Sequence, residues 1–180
     1  MYGIVNKAIQ EMITEQFGEN SWEVVKAHSG VEEDLFLSNE PYPDDITYKL
    51  AGSASQILGL SLSQVLHALG EYWILNTAKL KYGGLMEAGG NTLKEFLSHL
   101  PMFHNRIMLI YPKLTPPEFK VSDIMERSIH VHYHSQRQGL QEFVRGLLFG
   151  LAKMFDTQVT VDLIQSRENG ASHEIFKVSW

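Results

Sequence analysis

The chain has 180 residues, of which 44% are hydrophobic and 20% charged, and its formal net charge is −6. That length and balance fit one globular domain with its own core. Lys and Arg form no block, so neither nucleic acid nor an anionic membrane surface is expected as the main partner. No cysteine is present, which excludes disulfides, iron–sulfur clusters and thiolate zinc sites. A metal must therefore be held by histidine or carboxylate groups, or arrive within a cofactor.

Neither a membrane span nor a secretory signal is predicted. The sequence has no apolar run of about 18 residues. Its opening, "MYGIVNKAIQEMI", has polar residues every few positions and no small-residue cleavage site. We therefore expect a cytoplasmic location, which the absence of cysteine also fits.

Helical spacing of apolar residues dominates the first two-thirds of the chain. A first helix is predicted to end at Gly18, and a short second helix to run from a cap at Ser21 to Gly30. Asp44 and Asp45 are candidate caps for a third helix over about residues 46–58.

Ser61 is predicted to open the next helix. The stretch "YGGLMEAGGN", residues 82–91, indicates a flexible break. Asn91 or Thr92 can cap the helix that follows, and Pro101 should kink or restart it.

The last third has a different pattern. Residues 119–124 and 128–136 alternate with a period of two, which predicts strands, and residues 139–155 return to helical spacing. Residues 158–165 and 173–180 alternate on either side of a turn and form a predicted hairpin. The fold class is therefore α+β, with an N-terminal helical part packed against a C-terminal antiparallel sheet that carries one helix.

The stretch "SIHVHYHSQRQG", residues 128–139, places three histidines on one face of a strand. His130, His132 and His134 are able to bind zinc or another divalent ion. However, neighbouring side chains on one strand face are about 7 Å apart, so three in a row rarely converge on one metal. A solvated face with incidental histidines is the alternative.

The other face of this strand carries Tyr133, Ser135 and Arg137. Two hydroxyls and a guanidinium in a row are suited to bind carboxylates or phosphates. The alternative is a tyrosine packed in the core and an arginine paired with a nearby Asp or Glu.

The pattern Tyr133-x-Ser135-x-Arg137, preceded by His104 on a predicted helix, resembles the H-NOX family. These are heme-nitric oxide/oxygen binding domains related to the sensor domain of soluble guanylyl cyclase. The likeness extends along the chain through "MYGIVNKAI", "DDITYKLAGSASQILGL", "LGEYW" and "TPPEF". It implies one H-NOX heme-sensor domain over residues 1–180, with a helical subdomain over about 1–60 and a mixed heme-binding subdomain over about 61–180.

The resemblance implies a b-type heme, iron protoporphyrin IX, buried between the helical part and the sheet. It implies that His104 is the axial iron ligand and that Tyr133, Ser135 and Arg137 bind the heme propionates. Charge-assisted hydrogen bonds from an arginine offset the cost of burying carboxylates, which fits these roles.

Two further residues match positions that press on the heme in the family. Pro117 would push against the porphyrin and bend it, and Ile4 would lie against its other side. A ring bent between them would store strain that ligand binding releases.

Family members that hold dioxygen carry a distal tyrosine, and the alignment places Phe143 at that position. An alignment without a gap would place Glu142 there, but Phe143 shares a helix face with Leu147, which we also expect to contact the heme. Trp73 matches a second distal position. Its indole N–H would donate to a ligand if it pointed into the pocket.

Without a phenol at position 143, we expect a ferrous heme that binds nitric oxide and carbon monoxide and does not hold oxygen stably. A hydrogen bond to a partly charged group contributes roughly 1.5–3 kcal/mol, and oxygen depends on it most. Tyr72 and Tyr82 are not expected to face the heme, because of their helical phase or loop placement.

The resemblance further implies that nitric oxide breaks the iron–His104 bond and that the protein then changes conformation. Free-standing bacterial relatives signal to a histidine kinase or a diguanylate cyclase, so such a partner, or a fused domain, is expected. No nucleophile–base pair is recognisable, so the chain is not expected to be an enzyme. A histidine-metal hydrolase, a peroxidase-like heme protein and a metal-free interaction module are the rival hypotheses.

Overall fold

The structure is a computed structural model and describes residues 1–110 and 117–180. It confirms the α+β fold class, with helices in the first part and an antiparallel sheet after them. Over the described residues the helices are α1 Gly3–Phe17, α2 Glu19–Ser29, α3 Asp44–Leu58, α4 Leu62–Tyr72, α5 Lys79–Glu87, α6 Leu93–Ile110 and α7 Gln141–Met154, with a π-helical segment, Trp73–Ala78, between α4 and α5. None of the helices in these two ranges is long and apolar enough to cross a bilayer.

The four strands form one antiparallel sheet in the order β1-β2-β4-β3. They are β1 Glu118–Ser122, β2 Ser128–His134, β3 Thr160–Gln165 and β4 Glu174–Ser179. The two outer positions go to β1 and β3, so β2 lies between β1 and β4. The predicted hairpin is therefore present as β3 and β4.

The helix ends follow the predicted signals in part. Gly30 ends α2 in the left-handed conformation, as predicted. The start of α2 was expected at Ser21 but lies at Glu19, because Ser21 donates its hydroxyl to the carbonyl of Phe17 instead of capping the helix. The Ser61 cap of α4 is confirmed, and Gln64 returns a bond to it in a capping box.

The break predicted over residues 82–91 is wrong in its first half. Helix α5 continues through two glycines to Glu87, although a glycine in a helix costs about 1 kcal/mol relative to alanine. The buried side chains of Tyr82 and Met86 hold this segment against the core. Tyr82 itself has non-helical backbone angles, φ −126° and ψ 15°, so the irregularity falls on one residue.

The following helix begins after Thr92, whose hydroxyl accepts from the backbone N–H of Glu95 at 3.2 Å. This confirms Thr92 as the cap. Helix α6 runs through Pro101 without restarting, so the proline removes one backbone donor and does not end the helix.

Two hydrophobic clusters divide the interior. One is formed by α1 to α4, and the other by the sheet with α5, α6, α7 and the first residues of the chain. Helices α4 and α7 cross between them at Gly70 and Gly146. A Cβ atom at Gly146 would meet the carbonyl oxygen of His67 at 2.1 Å, so the two backbones are in direct contact. Because α4 and α7 cross here, Trp73, which follows α4, and Phe143, on α7, line the same cavity.

Candidate functional site

A cavity of about 220 Å³ lies among the inner face of the sheet, α6, α7, the π-helical segment and the N-terminal residues. Most of its wall is aliphatic or aromatic, formed by residues such as Val5, Ile74, Leu100, Phe119, Val144 and Leu148. A wall of this kind favours a largely apolar ligand.

Eight of the nine residues predicted from the sequence to bind a cofactor line this cavity. They are Ile4, Trp73, His104, Pro117, Tyr133, Arg137, Phe143 and Leu147. Ser135 is not on the wall, although it lies just beyond the end of β2. The structure also places Phe143 on the wall, whereas Glu142 pairs with Arg145 at 3.3 Å, so helical phase selects position 143.

His104 supplies a neutral imidazole to the wall. Burial lowers its pKa from 6.5 to about 4, so the ring is uncharged near neutral pH. It makes an edge contact with Phe119, with ring centroids 5.2 Å apart. A neutral imidazole in an apolar cavity has a lone pair available to a metal, and this is the chemistry expected of an axial ligand.

The Tyr133 side chain is buried in the core, and burial raises the pKa of its phenol. Its hydroxyl is hydrogen-bonded to Ser135. The Ser135 hydroxyl in turn accepts from the backbone N–H of Arg137 at 3.0 Å. The three residues therefore form one connected polar group at the end of β2, although only Tyr133 and Arg137 reach the cavity.

Arg137 lies on the cavity wall and also forms an ion pair with Asp44. Its Nε donates to Asp44 Oδ2 at 2.8 Å and its Nη2 to Oδ1 at 3.3 Å. The N-terminal ammonium of Met1 binds the same carboxylate. Burial alone would raise the pKa of Asp44, but these hydrogen bonds and charges lower it below its ordinary value. The second alternative predicted for this face, a tyrosine packed in the core and an arginine paired with an aspartate, is therefore present.

Arg167 supports this group and was not found from the sequence. It donates to the carbonyl oxygens of Ser135 at 2.6 Å and Arg137 at 2.7 Å. Its Nε also contacts both carboxylate oxygens of the buried Glu174, at 2.8 and 2.9 Å. No local sequence pattern shows whether an arginine in a hairpin turn is paired or solvated. The partners of Arg167 lie on β4 and in the segment after β2, which the sequence alone does not bring next to it.

Tyr82 corrects a second expectation. It was placed in a loop away from the site, but it is 9% exposed and lines the cavity. Its non-helical backbone angles lie at the start of the segment that was predicted to be a flexible break. Tyr72, by contrast, packs among α1 to α4 and is not on the cavity wall, as expected.

The outer face of β2 carries the three alternating histidines. His130, His132 and His134 are half-buried while the residues between them are buried, which confirms the predicted faces. The three do not gather into one group. His130 pairs with Asp123 at 3.0 Å, whereas His132 and His134 contact His173 from the neighbouring strand's edge.

The cavity therefore combines an apolar wall, the neutral imidazole of His104, the guanidinium of Arg137 and three tyrosines, Tyr2, Tyr82 and Tyr133. These groups fit a flat, apolar, metal-containing cofactor that bears acidic substituents, because each part of such a molecule has a counterpart on the wall. Fold and site together define a cofactor-binding domain.

Comparison with known proteins identifies the family. The family model described as Haem-NO-binding matches residues 2–163. The chain therefore belongs to the Haem-NO-binding, or H-NOX, family of heme-based gas-sensor domains. It is similar to soluble guanylate cyclase gcy-31 of Caenorhabditis elegans, with 27% identity over 91% of this chain and 24% of that protein. The chain thus spans about a quarter of the length of that relative.

Solved structures show the same fold. An H-NOX protein from S. oneidensis in the Fe(II)NO state superposes with a TM-score of 0.89 over 99% of this chain and 98% of that chain, at 18% identity. An H-NOX domain from Shewanella oneidensis in the Fe(II)CO state gives a TM-score of 0.87 with the same coverage and identity.

Proposed function

We propose that this chain binds heme b in the cavity and acts as a sensor of nitric oxide and carbon monoxide. The observation that carries the proposal is the neutral, buried imidazole of His104 in an apolar cavity that also reaches Arg137. A heme supplies a ferrous iron able to take a diatomic ligand. In this proposal residues 1–180 form one sensor domain, with a helical subdomain over about 1–60 and a mixed subdomain over about 61–180.

His104 is the proposed iron ligand, since it is neutral without any need to lose a proton at pH 7. Arg137 and Tyr133 are proposed to donate to the propionates. Ser135 is proposed to position these two residues without touching the propionates, because its hydroxyl is hydrogen-bonded to Tyr133 and to the backbone N–H of Arg137. Pro117 and Ile4 supply apolar contacts to the ring from different parts of the wall.

The proposed selectivity against stable oxygen binding depends on the wall formed by α7 and the π-helical segment. Phe143 and Leu147 are apolar there, and Trp73 completes that side. A bound oxygen would find no phenolic donor at position 143, whereas nitric oxide and carbon monoxide depend little on one. Tyr82 is a phenol on the same cavity, so its part must be tested directly.

The proposed signal is release of His104 from the iron when nitric oxide binds. His104 is on α6, which packs on β1 and β2, whereas Ile4 is on α1, which packs mainly on α2 and α3. Release would remove the tether between α6 and the cofactor and allow the two sides to shift relative to each other. We propose that the chain is a sensor without catalysis of its own and that its output is a histidine kinase or a diguanylate cyclase. The names of the relatives offer a fused guanylate cyclase as the alternative.

The test is the absorption spectrum of the ferrous protein under argon, nitric oxide, carbon monoxide and air. We expect a Soret band that shifts with nitric oxide and carbon monoxide and does not shift stably in air. His104→Gly should lose the Soret band that the ferrous protein shows under argon. Added imidazole should restore the band, because it can enter the space left by the side chain.

His99→Gly is the matched control, because His99 lies on the same helix, is absent from the cavity wall and bonds the carbonyl of Gly89 at 2.9 Å. Its spectra should equal those of the parent protein. A colourless protein after expression with excess heme, or equal loss of the Soret band in both variants, would contradict the proposal.

A further inference from the structure

A cluster of three histidines lies on the outer face of the sheet, on the side of β2 opposite the cavity. His132 and His134 come from β2, and His173 immediately precedes β4. One ring nitrogen of each lies within 4.8 Å of the others, and all three side chains are half-buried. We propose that these three residues bind a divalent transition-metal ion, with zinc as the best match.

His173 supplies a ligand from outside β2, so the site does not depend on three consecutive residues of one strand face. Neighbouring same-face residues on one strand are too far apart to share an ion readily, and the His132 and His134 ring centroids are 6.5 Å apart. His173 fits between them, with its ring 3.9 Å from His134 and 5.2 Å from His132. The Nδ1 of His132 and the Nε2 of His173 are 2.9 Å apart.

These separations are close to what a metal needs. Zinc–nitrogen bonds of about 2.0–2.1 Å in a tetrahedron place the nitrogens roughly 3.3 Å from one another. The three rings are stacked, with interplanar angles of 8° to 25°, so they would have to turn to direct their nitrogens at one ion. The final torsion of a histidine side chain is broad and allows this rotation. With three imidazole ligands, the fourth position is left to water.

The nitrogens that face away from the cluster have their own partners. The Nε2 of His132 is 2.8 Å from the hydroxyl of Ser122, which itself donates to Asp123 at 2.8 Å. That hydroxyl is therefore an acceptor for His132, which keeps the proton on Nε2 and the lone pair on Nδ1, facing His173. The Nδ1 of His173 is likewise 2.8 Å from the hydroxyl of Ser172. Hydrogen-bonded outer nitrogens of this kind orient histidine ligands in metal sites.

The type of ligand also suits a transition metal, because all three side chains offer an imidazole nitrogen. Imidazole ligands favour zinc, copper and nickel over magnesium or calcium. The cluster contains no carboxylate, so a hard ion has little reason to bind there.

The experiment uses tag-free, heme-loaded protein, freed of other metals with a chelator and dialysed against buffered zinc. Zinc and iron are then measured together by mass spectrometry, so that iron counts the folded chains. We expect one zinc per iron and a dissociation constant on the order of micromolar, confirmed by calorimetry. His132→Gln, His134→Gln and His173→Gln should each weaken zinc binding at least 10- to 100-fold while the Soret band is unchanged.

His130→Gln is the matched control, because His130 shares the strand and the face but pairs with Asp123. Its zinc affinity should change less than about twofold, whereas Ser122→Ala should weaken binding roughly tenfold through the lost support of His132. The proposal is overturned if no zinc remains after dialysis or if all variants bind it equally. It is also overturned if His130→Gln weakens binding and His173→Gln does not, which would place the ion on the strand row.

Discussion

The guanidinium of Arg137 and the carboxylate of Asp44, 93 positions apart in the sequence, meet in a two-contact ion pair at 2.8 and 3.3 Å. Asp44 is the first residue of α3, and Arg137 follows β2. The N-terminal ammonium bonds the same carboxylate, so the start of α1 joins the pair. One carboxylate thus connects the helical part of the fold to the residues that we propose bind the propionates.

Replacing this carboxylate should destabilise the domain. Asp44→Asn is expected to lower the free energy of unfolding by about 1–2 kcal/mol, because two charged donors lose a shared acceptor that is only partly exposed. Urea unfolding of the heme-free protein measures this. Asp45→Asn is the control, since the ion pair of Asp45 is with the exposed Lys49 at 2.9 Å, and it should change the unfolding midpoint much less. Equal effects of the two substitutions would show that the ion pair adds nothing.

The same contact predicts a dependence on acid. The pKa of Asp44 is lowered in the folded state, so its contribution is complete above its unfolded pKa of about 3.9 and is lost as the pH falls through the folded value. The stability difference between parent and Asp44→Asn should therefore be constant from pH 7 to pH 5 and shrink in more acidic solution. Unfolding curves at several pH values test this, and a difference that grows toward acid would be the contrary result.

The buried carboxylate of Glu174 should make Arg167 important for stability. Glu174 is 3% exposed and Arg167 is its partner at 2.8 Å. Arg167→Met is expected to cost roughly 3 kcal/mol, because it leaves a buried charge unpaired. Adding Glu174→Gln should recover a large part of that loss in the same urea assay. A double variant as unstable as the single one would assign the effect to the contacts of Arg167 with the Ser135 and Arg137 carbonyls instead.

Patterns with a short range predicted much of this structure. Alternation along β2 separated the buried Val131 and Tyr133 from the half-buried histidines, because the side chains of a strand alternate by geometry. Helical phase likewise placed Phe143 and Leu147 on one cavity wall. The α+β class followed from the change of period after the first two-thirds of the chain.

Contacts between distant residues were beyond the same reasoning. Asp44 was interpreted as a helix cap, since the sequence around it carries no sign of Arg137 or of the N-terminal ammonium. Tyr82 was assigned to a glycine-rich break, but tertiary packing keeps its segment helical and turns it toward the cavity. His173 could not be grouped with His132 before the pairing of β2 with β4 was known.

The helix crossing at Gly146 offers a test of the packing that shapes the cavity. In Gly146→Ala the new methyl group would lie 2.1 Å from the carbonyl oxygen of His67, which belongs to a rigid helix. We expect a loss of about 1–3 kcal/mol from overpacking, with a shift of the ferrous spectrum as α4 and α7 separate. Gly52→Ala is the control, because the space around that helical glycine is open, and it should stabilise the protein by about 0.5–1 kcal/mol. The same sign for both substitutions would contradict the crossing.

Phe143→Tyr tests the proposed basis of ligand selectivity. Phe143 lies on the cavity wall on α7, so a hydroxyl added there can donate to a bound oxygen. A hydrogen bond of roughly 1.5–3 kcal/mol should raise oxygen affinity about 10- to 100-fold, with little change for carbon monoxide. Spectra of the ferrous variant in air and its oxygen dissociation rate measure this gain.

Two substitutions separate a specific donor from a general gain in polarity. Phe149→Tyr adds the same hydroxyl on the same helix, but Phe149 packs against His67 and is not on the cavity wall, so oxygen binding should not change. Tyr82→Phe removes a phenol that does line the cavity and should also leave the gas spectra unchanged. If Tyr82→Phe alters oxygen binding while Phe143→Tyr does not, the polar group that meets the ligand comes from α5, and the selectivity must be assigned to that helix.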